Sequence, residues 1–110
     1  MSRSDEQWLR DILFAADAIA DHLRRGGLDD GMVFDAVRVR LIEIGEAVKR
    51  ISPALLDEAS DISWVDVAGM GNHLAHRYFD TEHAIIQATV DHDLPPLRAA
   101  AARLLTRLAP

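Results

Sequence analysis

The sequence predicts an all-helical fold, and three observations support this. Apolar residues recur at the three- and four-residue spacing of a helix face along most of the 110-residue chain. No segment shows the strict alternation of apolar and polar residues that is typical of a half-buried strand. The links between the periodic segments are short, which favours antiparallel neighbours in a compact bundle. We therefore predict a single domain over residues 1–110 with about five helices.

The composition is that of an ordinary globular protein, with 49% apolar and 27% charged residues. There is no cysteine, so disulfides and thiolate metal sites are excluded, which agrees with a reducing cytoplasm. The first residues lack the apolar run of a signal peptide. No stretch approaches the roughly 20 apolar residues of a membrane span. These features predict a cytoplasmic protein with no membrane contact.

The charge distribution limits how the chain could bind nucleic acid. Eighteen acidic and 12 basic residues give a net charge of −6. The basic residues are scattered in small groupings such as Arg38–Arg40 and Lys49–Arg50. A protein bound mainly to phosphates normally shows a basic patch. If RNA is a ligand, we expect it at a local site, which two subunits could share.

The first two predicted helices are long. The first runs from about Ser4 to Arg25 and ends with cations followed by glycine. The second runs from about Asp30 to Ile51, and its apolar residues extend well beyond one stripe. A helix that is apolar over so much of its circumference is usually covered on two sides. This predicts a central helix, a dimer contact, or both. The second helix's apolar residues are Val33, Val37, Leu41, Ile44, Val48 and Ile51 on the stripe, and Phe34, Val39 and Ile42 beside it.

The second half of the chain shows a series of helix starts. Ser52 followed by Pro53 predicts a short helix with the serine as N-cap. Residues 63–66 resemble a capping box with aspartate in place of glutamate, and they open a helix that continues into GMGNHLAHRY. Residues 80–81 offer a cap for a further helix to about Val90. Residues 94–96, Leu-Pro-Pro, lead into the last helix.

The segment from Gly69 to Asp80 contains the residues best suited to chemistry. Asn72, His73 and His76 lie within about one helical turn and are predicted to share a polar face. One interpretation is a metal site, with His73, His76 and either His83 or an acidic residue. Another is a solvated face or a buried, satisfied imidazole, which the composition alone favours. A third is acid/base catalysis, because an unperturbed histidine pKa of about 6.5 suits proton transfer at neutral pH.

Four segments together favour the third interpretation. They are EIGEAVKRISP at 43–53, ISWVDVAGM at 62–70, N-x-x-x-H-x-Y-F-D at 72–80 and DHDLPPLRA at 91–99. In this order and at this spacing, they resemble the HepT toxins of the HEPN superfamily over nearly the whole chain.

The resemblance implies a metal-independent ribonuclease that needs no cofactor and acts as a homodimer, with the two motif helices lining a shared cleft. The family motif is R-x-x-x-x-H-x-Y. His76 would act as general base or acid towards the ribose 2′-hydroxyl and the leaving oxygen, and the arginine would stabilise charge on the phosphate. The resemblance also implies a nucleotidyltransferase antitoxin that transfers AMP onto Tyr78. The added AMP would place bulk and negative charge where the RNA phosphate must lie.

The sequence departs from the motif at one position. Asn72, His76 and Tyr78 match the family pattern, but the arginine is replaced by Gly71. Arg77 is close in sequence but points in another direction. Loss of a preorganised donor typically costs roughly 3–4 kcal/mol of transition-state stabilisation. We therefore expect a weakened nuclease that Gly71→Arg would restore. The alternative is a catalytically inactive HEPN module that binds a nucleotidyltransferase partner.

Neighbouring residues suggest supporting roles. Glu43 and Glu46 on the second helix could approach the motif helix and orient Asn72 or His76. Otherwise they are surface residues, with Glu46 bridging to Arg50 four residues on.

Two aromatic residues also need an assignment. Trp64 is predicted to anchor the core rather than to stack on bases. Tyr78 and His76, two residues apart, would point about 200° from each other on a continuous helix. Access of Tyr78 to the cleft therefore requires the helix to loosen near residues 77–80, or an approach across the dimer.

Overall fold

The all-helical prediction is confirmed. A computed structural model describes residues 3–76 and 79–110, with the backbone only for residues 79–82. All the regular secondary structure in these ranges is helical. None of the helices in this part of the chain combines the length and the apolar character needed to cross a membrane.

The helices follow one another with short connections. They are α1 (Asp5–Arg25), α2 (Gly31–Arg50), α3 (Pro53–Leu56) with a 3₁₀ turn (Asp57–Ala59), α4 (Trp64–His76), α5 (Phe79–Ala88), a π-helical turn (Thr89–Asp93) and α6 (Leu94–Leu108).

Local caps define the starts of the two long helices. The Ser4 hydroxyl accepts a hydrogen bond from the Gln7 N–H at 3.2 Å, and Gln7 Oε1 accepts one from the Ser4 N–H at 2.8 Å. This reciprocal pair is a capping box. At the start of α2, the Asp30 carboxylate accepts from the N–H groups of Met32 at 2.9 Å and Val33 at 3.2 Å. The predicted bounds of both helices are therefore confirmed.

The start of α1 lies beside the end of α2, so the two helices are antiparallel. Asp5 Oδ1 accepts from the Ser52 N–H at 3.0 Å, and Asp5 Oδ2 accepts from the Ser52 hydroxyl at 2.8 Å. Ser52 is the N-cap residue of α3, as predicted, but its hydroxyl is bonded to Asp5 and makes no capping bond to the helix. Pro53 does occupy the first turn of α3, as predicted.

The core lies where α2 packs against α1 on one side and against α4 on the other. This confirms the central position predicted for α2. Of its apolar residues off the main stripe, Phe34 is buried, whereas Val39 remains half exposed. The largest fully buried side chains come from α1, α2, α4 and α5, and they are Leu9, Ile12, Ile19, Val37, Leu41, Ile44, Leu74 and Ile86.

Trp64 anchors the start of α4, which confirms the role predicted for it. Its side chain is buried, and its indole Nε1 donates to the Ala59 carbonyl at 3.0 Å. The Ser63 carbonyl accepts from the N–H groups of both Asp66 and Val67 at 3.1 Å, so the first turn forms directly after this residue.

The last helices form one continuous helical path rather than two separate ones. Pro95 and Pro96 have no N–H, so the carbonyls four residues before them lose their usual helical partners. The chain accommodates this with the π turn, in which the Leu94 N–H bonds to the Thr89 carbonyl. The predicted break before Leu94 is thus a change of helical register. Because α5 already includes Phe79, the predicted cap at residues 80–81 falls inside this helix.

The backbones of α2 and α4 touch at a pair of glycines. A Cβ atom built on Gly45 would lie 2.9 Å from the Gly71 Cα and 3.3 Å from the Val67 carbonyl oxygen. A Cβ atom on Gly71 would lie 3.0 Å from the Gly45 Cα. Real Cβ atoms essentially never come as close as the one on Gly45 would, and the one on Gly71 would require its neighbour to shift by a few tenths of an ångström. The close approach of the two helices therefore depends on glycine, most strictly at Gly45.

This contact makes a prediction about stability. Gly45→Ala and Gly71→Ala should each destabilise the fold. Overpacking costs about 1–3 kcal/mol, which outweighs the roughly 1 kcal/mol that alanine gains over glycine in helix propensity. Gly69→Ala is the matched control, since Gly69 is exposed on the same helix and an added Cβ would meet nothing within 4 Å. That variant should be more stable by up to about 1 kcal/mol. Urea denaturation measures all three, and a Gly45→Ala protein as stable as Gly69→Ala would contradict the contact.

Candidate functional site

Two of the predicted site residues lie open on the same side of α4. Asn72 and His76 are both exposed, and residues four apart on a helix differ by only about 40° in direction. His73 behaves differently, because its side chain is half buried and its Nε2 is enclosed. That nitrogen makes no hydrogen bond to any residue that the structure describes. Asn72 and His76 therefore form the accessible pair, and His73 lies partly behind them.

Helix α2 holds α4 from one side through residues spaced along a single stripe. Near the last turn of α4, Arg38 Nη2 donates to the Leu74 carbonyl. One of the carbonyls left without a partner in the final helical turn is thus satisfied. At the other end of the stripe, Lys49 Nζ donates to Asn72 Oδ1. Along α2, the Gly45–Gly71 contact lies between these two bonds. The earlier residue of α2, Arg38, bonds to the later residue of α4, Leu74, so the two helices are antiparallel.

The two glutamates of α2 lie in different surroundings. Glu46 Oε1 accepts from Lys49 Nζ at 2.9 Å, so Glu46 is connected to Asn72 through the same ammonium group. The hydrogen bond and charge of Lys49 hold the pKa of Glu46 below its usual range, and the carboxylate is ionised at neutral pH. Glu43 instead accepts from Arg40 Nη1 at 3.2 and 3.3 Å on the exposed surface.

One of the expected ion pairs has a different partner. The surface alternative for Glu46 gave Arg50, four residues on, as its partner, but Glu46 pairs with Lys49, three residues on. Both spacings bring side chains together on a helix. Lys49 is the cation held on the α4 side, where Asn72 supplies its second acceptor.

His83, one of the histidines considered as a metal ligand, packs near the turn between α1 and α2. Its ring stacks on Phe34, with ring centroids 5.3 Å apart and planes 5° from parallel. Its Nε2 lies 3.3 Å from the Leu28 carbonyl oxygen. Among the side chains of residues 3–76 and 83–110, no three histidines, aspartates or glutamates are grouped so that they could hold a metal ion.

The position of the missing motif arginine faces α2. Gly71 is buried, and its absent side chain would point at the Gly45 backbone. An arginine Cβ there would require α2 to shift by a few tenths of an ångström, which the sequence alone did not indicate. Arg77 and Tyr78 lie outside the described residues, so the geometry expected between His76 and Tyr78 stays a prediction.

Lys49 and Arg38 are the residues that sequence reasoning missed. Both belong to the small basic groupings of α2, and both bond to α4. The signal was their spacing from Gly45, since residues 38, 45 and 49 are seven and four apart and therefore share one helical stripe.

The all-helical bundle agrees with the HEPN fold expected from the sequence. A family model described as "Ribonuclease HepT-like" matches residues 10–104. This match covers most of the chain, and the protein belongs to the HepT-like ribonuclease family.

Individual relatives agree with this assignment. The chain is 30% identical over 102 residues to the "Probable ribonuclease HepT" of Thermococcus cleftensis, covering 89% of this chain and 93% of the relative. It is 28% identical over 100 residues to a candidate RNase of Methanocaldococcus jannaschii, covering 87% and 83%. A candidate RNase of Caldanaerobacter subterraneus is 34% identical over 70 residues, and this match covers 63% of this chain and 62% of that relative. No solved structure matches the chain significantly.

Proposed function

We propose that the protein is the ribonuclease toxin of a toxin–antitoxin pair and that it cleaves RNA without a metal ion. The observation that carries the proposal is the exposure of Asn72 and His76 together on α4. They occupy the motif positions of a chain that belongs to the HepT-like ribonuclease family.

The chemistry follows from a histidine beside an RNA phosphate. His76 removes the proton of the ribose 2′-hydroxyl, and this oxygen forms a bond to the adjacent phosphorus. The bond from phosphorus to the 5′-oxygen of the next nucleotide breaks, and the leaving oxygen takes the proton from the His76 imidazolium formed in the first step. The products are a 2′,3′-cyclic phosphate and a 5′-hydroxyl. Each proton is moved by a side chain, so the scheme needs no metal-bound water.

The first test is RNA cleavage in the presence of a chelator. The protein should cleave RNA in EDTA, and His76→Ala should slow cleavage at least about a hundredfold, because general acid–base groups contribute at least this much. His92→Ala is the control, since His92 is also an exposed histidine but lies on the π turn. Cleavage that stops in EDTA, or a His76→Ala protein as active as the original, would contradict the mechanism.

We also propose that the active form is a homodimer. Phe14 on α1 and Val39 on α2 are 66% and 50% exposed, although both are apolar. The Arg40 guanidinium lies 5.5 Å from the centre of the Phe14 ring and joins the two helices at this surface. Exposed apolar side chains on adjoining elements are typical of association surfaces. A second copy would cover them.

Light scattering tests the dimer. At micromolar concentration the mass should be about twice the 12.2 kDa of the chain. Phe14→Lys should shift it to the monomer, because the ammonium group would lie beside the Arg40 guanidinium and could not be buried there without a carboxylate partner. Met32→Lys, at a residue that is 85% exposed, should leave the dimer intact. A monomeric parent protein would refute this part of the proposal.

We further propose that a nucleotidyltransferase antitoxin silences the toxin by adding AMP to Tyr78. Tyr78 is the only tyrosine of the chain and follows His76 by two residues, as in the family motif. Its hydroxyl oxygen would attack the α-phosphorus of ATP and release pyrophosphate. The resulting phosphodiester adds a negative charge close to His76, where it would repel an RNA phosphate.

Mass spectrometry tests this modification. Incubation with the cognate nucleotidyltransferase and ATP should add the mass of AMP to the peptide that contains Tyr78, and RNA cleavage should fall. The Tyr78→Phe protein should gain no mass and should remain active under the same conditions. AMP on another residue would remove Tyr78 from the proposal.

A second candidate function is supported by Gly71. The chain has glycine where the family motif has arginine, and this glycine is buried against Gly45. A chain in this state could be an inactive HEPN module that only binds its nucleotidyltransferase partner. The cleavage assay separates the two candidates, since the inactive module would bind the partner and leave RNA intact.

A further inference from the structure

Lys49 reaches from α2 to the open face of α4. Its ammonium group donates to Asn72 Oδ1 and to Glu46 Oε1, the latter at 2.9 Å. An ammonium group carries three N–H donors, and these two acceptors use two of them. The side chain is 31% exposed, so the remaining donor can reach a ligand on the Asn72 side.

We propose that Lys49 is the cation that binds the RNA phosphate in this protein, in the role left open by Gly71. The inference rests on the proposed ribonuclease function and names a further residue of the same site. Lys49 lies against Asn72, and Asn72 is one turn before His76. A phosphate that contacts Lys49 and Asn72 is therefore adjacent to the histidine that moves the protons.

Lys49 also determines how Asn72 is oriented. Because an ammonium group can only donate, the Asn72 atom that it contacts must be the amide oxygen. The Asn72 NH₂ group is then directed away from Lys49 and is able to donate to a phosphate oxygen. One bond thus presents two donors to the ligand, the ammonium and the amide.

The ion pair with Glu46 leaves the ammonium available. Side-chain exposures of 31% for Lys49 and 49% for Glu46 make this a solvent-screened pair. Such pairs contribute little free energy, so an RNA phosphate can share or displace the carboxylate. Arg38 is less suited to this role, because its guanidinium bonds to the Leu74 carbonyl and has a further partner.

The glycine contact explains why the charge comes from α2. Gly45 precedes Lys49 by one helical turn, and Gly71 immediately precedes Asn72. Direct contact between the two glycines brings this part of α2 to α4, and Lys49 then reaches Asn72. A long side chain at position 71 would separate the helices at this point.

The test compares three variants of the full chain. Lys49→Gln removes the charge, Lys49→Arg keeps it, and Arg50→Gln makes the same change of net charge at the adjacent exposed residue. Two quantities are measured for each protein. One is the rate of cleavage of a single-stranded RNA, and the other is the salt dependence of binding to the same RNA with 2′-O-methyl groups, which cannot be cleaved through the 2′-oxygen.

We expect Lys49→Gln to slow cleavage by about a hundredfold, as for loss of one donor to a developing charge. The slope of log affinity against log salt should fall by about 0.7 for one lost phosphate contact on a single strand. Lys49→Arg should retain most of the binding, and Arg50→Gln should match the parent protein in both measurements. A structural role alone would lower the melting temperature and leave the salt slope unchanged.

The outcomes separate this inference from the proposed function. If the parent protein cleaves RNA and Lys49→Gln cleaves equally well, the role of Lys49 is refuted and the ribonuclease function stands. If the parent protein binds the methylated RNA without cleaving RNA, the ribonuclease function fails, and the salt slope still decides whether Lys49 contacts a phosphate. If the parent protein does not bind the RNA at all, Lys49 is only a bridge between two helices.

Discussion

The contact between Gly45 and Gly71 is the constraint on which the site depends. Packed helices usually lie about 8–10 Å apart, at a distance set by the side chains between them. Here neither helix contributes a side chain, and the backbones themselves meet. This close approach brings both ends of one α2 stripe within hydrogen-bonding distance of α4, with Arg38 at the Leu74 carbonyl and Lys49 at Asn72. The face that carries Asn72 and His76 is therefore held in place by backbone packing.

Packing and chemistry compete for position 71. The family motif has an arginine here, which would serve the phosphate, but an arginine Cβ would lie 3.0 Å from the Gly45 Cα. Because residues 45 and 71 are both glycine, the two backbones pack directly against each other and no side chain at 71 is available for a phosphate. The cations that contact α4 in the described residues then come from α2, as the bonds of Arg38 and Lys49 show. The absence of arginine at position 71 is thus accompanied by two cations from α2 that bond to α4 at Leu74 and Asn72.

The features that the sequence predicted correctly are those with local causes. The start of α1 depends on Ser4 and Gln7, three residues apart, and the start of α2 on Asp30 and the two N–H groups just after it. The central position of α2 follows from its wide apolar surface. The features that the sequence did not predict involve distant partners or cooperative effects. The Ser52 hydroxyl bonds to Asp5, 47 positions away. Lys49 and Asn72 are 23 positions apart, and neither residue alone indicates the other. Two prolines predicted a break, yet a π turn lets the helix continue through them.

The net charge of −6 has a physical consequence for an RNA ligand. Many basic side chains of the described residues are already paired with carboxylates, including Arg98 with Asp17, Arg103 with Asp61, Arg107 with Glu58 and Arg3 with Asp11. The Arg98 guanidinium hydrogen-bonds Asp17 and holds the pKa of that carboxyl below its usual range, so this pair is intact at neutral pH. Most of these pairs connect α6 to α1 and to the 3₁₀ region, and they neutralise much of the positive charge that the described residues could offer to a nucleic-acid strand. Under the proposed function, an RNA would then be recognised over a few phosphates at α4. At so small a site, the ammonium group held at Asn72 would contribute a large share of the binding, and a second copy of the chain would be the simplest source of further contacts.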